Sequence, residues 1–90
     1  MKLVNKNKIV SEFKKIPGVG DSIAKDLWRL GLRSLKELKS ADAEWMYKDL
    51  MSIKGCYVDR CMLYVFRGAI YFVTHSNHDP KLLKWWNWKD

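Results

Sequence analysis

Ile16-Pro17-Gly18-Val19-Gly20 sets two glycines around one apolar residue, between two segments that read as helices. Glycines there permit backbone angles that a Cβ forbids. They leave the amides at the start of the next helix bare and at the positive end of its dipole. The chemistry this allows is anion binding, in a phosphate-sized site made from the backbone of Pro17, Gly18, Val19 and Gly20. Ser22 can add a hydroxyl donor, and Lys14, Lys15 and Lys25 can add counterion release. Contacts of this kind carry no base information, so a nucleic acid held this way is bound without regard to sequence.

Two other groups of residues invite a chemical reading. Trp85, Trp86 and Trp88, flanked by Lys84 and Lys89, can form an aromatic contact surface. It is open to three uses: stacking of single-stranded bases, anchoring of the C-terminus over the helices, or docking of another protein. Cys56, Cys61, His75 and His78 give C-x4-C and H-x2-H, a looser cysteine pair than zinc fingers use. Cys61 also lies inside an apolar run, so two reduced, largely buried thiols are expected, with the histidines in an exposed connector and no metal or cofactor. Neither a Walker loop, nor a His-Glu metalloprotease motif, nor Gly-x-Ser-x-Gly occurs, and the chain is not read as an enzyme.

The elements that position these residues follow from periodicity and caps. Val10, Phe13 and Ile16 keep helical spacing up to Pro17-Gly18. Gly20 or Asp21 caps a second helix with Ile23, Ala24, Leu27, Trp28 and Leu30 on its apolar face, ended by Gly31. Ser34 and Glu37 have capping-box spacing and start a short helix. Asp42 caps a fourth carrying Trp45, Met46, Leu50 and Ile53, closed by Gly55. A fifth begins near Val58 or Asp59 and is apolar nearly all round, so it is expected at the centre. Gly68-Ala69 allows another helix to approach it closely, and Arg67 within it must reach solvent or a carboxylate. The expected core includes Phe13, Ile23, Leu27, Leu38, Leu50, Ile53, Leu63, Phe66 and Ile70.

Ninety residues point to one domain, and a net charge of +7 favours a polyanionic partner. Residues 1–42 hold ten Lys/Arg against five Asp/Glu, and residues 43–90 hold seven against five, so the excess lies in the half of the chain that holds the glycine hairpin. The first residues lack the apolar region of a signal peptide, and no apolar stretch is long enough to span a bilayer, so a cytoplasmic protein without a membrane partner is expected.

Phe13, Ile16, Gly18, Val19, Gly20, Ala24 and Gly31 match the apolar, Gly and Ala positions of the helix-hairpin-helix motif, which this segment resembles. Ile53-Lys54-Gly55-Cys56-Tyr57 echoes the first turn without its Pro and second Gly, and Cys61 stands where Ala24 stands. The paired form of the motif, two pseudo-symmetric hairpins joined by a helix, implies an all-α fold. Hairpin one would span 6–31, the connector helix 34–40, a degraded hairpin two 42–74, and an aromatic tail 75–90. The whole chain also resembles the small bacterial proteins of the pathogenicity locus family. That likeness is carried by the first turn, Asp26-Leu27-Trp28, residues 59–67 and Leu83-Lys84-Trp85-Trp86-Asn87-Trp88. Leu30 to Lys39 is similar to the C-terminal domain of bacterial competence regulators. The hairpin resemblance implies DNA binding by the glycine turn. The chain departs from that pattern at Asp21, where binders often place Lys or Arg, because a carboxylate competes with phosphate for the same amides. The rival expectation is a protein-interaction module in which the hairpins only hold helices together.

Overall fold

The computed structural model describes residues 5–89, and among them all regular structure is helical. The order is α1 (Lys6–Phe13), α2 (Asp21–Arg29), α3 (Leu35–Lys39), α4 (Ala43–Lys54) and α5 (Cys61–Thr74), followed by two 3-10 turns, η1 (Pro80–Leu83) and η2 (Trp85–Trp88). Met1 to Val4 and Asp90, including the charges at Lys2 and Asp90, lie outside the described residues.

Local chemistry sets the boundaries. Asn5 caps α1 through its side chain on the Lys8 amide. Ser34 Oγ accepts from the Glu37 amide at 3.1 Å while Glu37 returns a bond from the Arg33 amide at 3.0 Å, one residue short of a closed capping box. Asp42 accepts from the Trp45 amide at the start of α4. Gly31 and Gly55, at φ +91° and +67°, take the left-handed conformation that ends α2 and α4. Helix α5 begins at Cys61, later than Val58 or Asp59. The Val58 carbonyl is taken by the Tyr47 hydroxyl at 2.6 Å, and Asp59 Oδ1 accepts from the Cys61 amide at 2.8 Å. These two bonds hold residues 58 and 59 ahead of the first turn.

Packing runs α1 on α2 and α4 on α5, with α3 and both 3-10 turns laid against α5. Phe13, Ile16, Leu27, Leu38, Met46, Leu50, Leu63 and Phe66 are fully buried. The central place expected for α5 follows from this, since four other elements cover it. Three expectations for the core need correction. Ile53 is 47 % exposed, and Ile23 and Ile70 are only partly covered. From Ser52 to Tyr57 every residue faces solvent, so the last turn of α4 extends past anything that could cover Ile53. Trp45, also placed on the apolar face of α4, is exposed in its first turn.

One buried charge ties α2 to α4. Asp26, 4 % exposed, lies 3.4 Å from Lys54 Nζ and 3.6 Å from Arg29. Beside it, Arg33 stacks 3.5 Å above the Trp28 ring and donates to the Trp28 carbonyl at 2.7 Å.

Candidate functional site

Between α1 and α2 the chain turns twice. The Ile16 amide donates to Phe13 O, and the Val19 amide donates to Ile16 O at 3.0 Å. Pro17 and Gly18 are the corners of this second turn, and Gly18 has φ +84°. Pro at the second position and a positive-φ Gly at the third is the pattern of a type II turn. Ile16 and Val19 point into the core, while Pro17, Gly18 and Gly20 face solvent.

That geometry divides the expected donors. Val19 does not contribute its amide, which the turn itself consumes, and its side chain is buried. No protein acceptor meets the amides of Gly18 and Gly20 among the described residues, and the space where either would carry a Cβ is empty to 4 Å. Gly20 is the N-cap of α2 and offers no side-chain cap, so the Asp21, Ser22 and Ile23 amides keep the free hydrogens that every helix start presents. Ser22 is exposed on that first turn.

Asp21 does not cap these amides. Its carboxylate turns outward between two lysines, Lys25 Nζ at 2.9 Å and Lys14 Nζ at 3.8 Å. The hydrogen bond and charge of Lys25, with the charge of Lys14, hold the Asp21 carboxyl below its ordinary value against the opposing effect of burial. Lys15 pairs with Glu12 at 3.3 Å. All three lysines assigned to the site by sequence therefore face a carboxylate. The excess charge read from residues 1–42 is not concentrated at the turn.

The three tail tryptophans do not form one surface. Trp88 lies against Gly68, donates from Nε1 to Leu82 O at 2.7 Å, and its carbonyl accepts from Arg67 at 2.8 Å. Arg67 also meets Glu44 at 3.0 Å, the carboxylate partner that its place in an apolar helix calls for. Trp85 is half-buried and sits edge-on to Trp86 at 5.7 Å between centroids. Trp86 alone of the three is exposed.

The cysteines are less buried than expected: Cys56 is exposed in the turn between α4 and α5, the second of the two interhelical turns compared by sequence, and Cys61 partly so at the start of α5. The Asp59 carboxylate beside it pushes the Cys61 thiol up, which disfavours the reactive thiolate. His75 is exposed, whereas His78 stacks on Phe72 at 4.6 Å and bonds its carbonyl. Asp26 and Arg33 are the structurally important charges that the pattern did not single out. Beside its helical neighbour Arg29, Asp26 meets Lys54, 28 residues away, and Arg33 bonds the Trp28 carbonyl five residues back, distances that helical spacing does not reveal.

No curated protein and no solved structure matches the chain. A family model described as Pathogenicity locus matches residues 6–90, which covers the turn, all five helices and the tail, and the chain belongs to that family.

Proposed function

We propose that the chain is a paired helix-hairpin-helix scaffold that binds DNA through its backbone phosphates, acting as a binding module in the cytoplasm and not as an enzyme. α1 with α2 forms hairpin one, α3 is the connector, α4 with α5 forms hairpin two, and the 3-10 turns make up the aromatic tail. The observation that carries the reading is the open face of the first turn. Among the described residues the Gly18 and Gly20 amides have no acceptor, and no atom lies within 4 Å of where either would carry a Cβ. Lys14 and Lys25 flank that face, held there by Asp21. Exposed ion pairs of this kind contribute little to stability, so the lysines can exchange Asp21 for a phosphate at small cost.

Gly20→Val tests the reading. Gly20 has φ −90° and ψ −170°, an extended conformation any residue adopts, and open space for the side chain. The helical spectrum should persist while affinity for a duplex oligonucleotide falls about tenfold or more, as the isopropyl group covers the donors. Unchanged affinity in a folded variant places the phosphate elsewhere.

A protein-interaction module is the second reading. The exposed Ile53 and Tyr57 favour it, since they bring two large apolar side chains to the second turn. Co-purification of a protein that is lost in Tyr57→Ser, with no duplex binding by the parent chain, would establish it.

A further inference from the structure

We propose that Trp86, with Lys84 over its ring and Lys81 and Lys89 on the same tail, is a stacking site for an unpaired base, so that the C-terminal end of the chain holds single-stranded nucleic acid. The inference rests on different residues from the hairpin reading and stands or falls separately from it.

Three observations carry it. The first is the division of labour among the tryptophans. Trp88 is spent on Gly68 and Leu82, and Trp85 is half-covered, but Trp86 is 49 % exposed. A large indole left in water gains by covering one face, and a nucleobase is a flat partner of matching size.

The second is charge. Lys14, Lys15 and Lys25 at the first turn all face carboxylates. Lys81, Lys84 and Lys89 have no carboxylate partner among the described residues. Lys84 lies 5.6 Å from the Trp86 ring and Lys89 5.9 Å from the Trp85 ring. Asp79, the acid of this segment within the described residues, is occupied in accepting from the Lys81 amide at 2.9 Å. The tail is thus a place where exposed aromatic surface coincides with cations that have no carboxylate partner among the described residues, which is the composition of a single-strand platform.

The third is preorganisation. Arg67 and Trp88 tie η2 to α5 and to η1, and the Asn87 side-chain amide donates to Lys81 O. The strand therefore meets a tail already ordered, and binding does not bear the cost of arranging it. A single strand fits this site better than a duplex, because a base inside a duplex already has both faces stacked.

Fluorescence anisotropy of a 5′-fluorescein-labelled oligothymidine, beside a labelled duplex of the same length, tests the proposal. The parent chain should bind the oligothymidine. Trp86→Ala should weaken that binding on the order of tenfold, the loss of one stacked base, and leave duplex affinity within about twofold. Trp86→Phe should recover part of the loss, and Lys84→Glu should weaken binding and flatten its salt dependence. Gly20→Val should leave oligothymidine affinity unchanged, so its failure on duplex DNA and a failure of the tail are read apart. Unchanged oligothymidine affinity in a folded Trp86→Ala chain overturns the proposal. So does equal loss on duplex and single strand, or binding of phosphatidylserine vesicles with none of oligothymidine.

Discussion

Asp21 is the residue on which the hairpin reading turns. A carboxylate in the first turn of a helix suits the dipole, but here it stands between Lys14 and Lys25 and holds two of the cations that the hairpin reading gives to a phosphate. Because its folded pKa is depressed by Lys25, its contribution to stability is present above the unfolded value, about 3.9, and is lost as pH falls through the lower folded value. Carboxyl-resolved NMR titration should give Asp21 a midpoint below that of a free aspartate, and Lys25→Ala should move it upward; a midpoint at or above the ordinary value would mean that the pair does not persist in solution. At Gly20, a serine would supply the missing cap on α2. Gly20→Ser should stabilise by a few tenths of a kcal/mol, about 1–4 °C in Tm for a domain of this size, because its hydroxyl engages the Ser22 or Ile23 amide, and should weaken duplex binding if the first-turn amides join those of Gly18 and Gly20 on the phosphate. Greater stability together with undiminished affinity would show that the Ser22 and Ile23 amides are not among the donors.

At the scale of elements, the tail meets α5 at a position that has room for little more than a methyl group, Gly68. A Cβ on Gly68 would sit 3.4 Å from Trp88 Cδ1 and Nε1, the near edge of ordinary contact. Gly68→Ala should therefore keep the tail docked and gain helix propensity, up to about 1 kcal/mol, whereas Gly68→Val should displace Trp88. Limited proteolysis should cut the valine variant within residues 75–84 and spare the alanine variant; equal resistance of the two would show that the tail is held by Arg67 and Leu82 alone. Elements of this kind were legible where the signal is local. Ser34, Asp42, Gly31 and Gly55 act within a few residues of themselves, so spacing reveals them. The close approach at Gly68 was legible too, although its partner is an indole from the tail where another helix was foreseen. Ile53 was not legible, because it has the correct period from Met46 and Leu50 and only the absence of a neighbour exposes it. Nor were the pairs Lys14–Asp21 and Asp26–Lys54, which depend on how a turn closes and how two helices meet. The open amides of Gly18 and Gly20 followed from the glycine pattern, whereas the loss of Val19 as a donor required the turn's own hydrogen bond.

For the whole molecule, the net charge of +7 says that a polyanion is attracted, but the distribution decides what salt does to the binding. Amides release no counterions, so the salt slope counts cations brought to phosphates. If Lys14, Lys15 and Lys25 each exchange a carboxylate for a phosphate and one further lysine joins them, about four phosphates are neutralised. Raising salt from ~50 to ~200 mM should then weaken duplex binding on the order of a hundredfold. If Glu12 and Asp21 keep their lysines, the same titration gives a much shallower line with the amides still bound. Asp21→Lys separates these cases. It removes one competing charge and adds a cation at the mouth of the turn, so affinity should rise and the slope of log K against log salt should steepen by about one to two. A variant that gains neither affinity nor slope would show that the duplex does not approach this turn, and Lys81, Lys84 and Lys89, which have no carboxylate partner among the described residues, would then be where the net charge of the molecule acts.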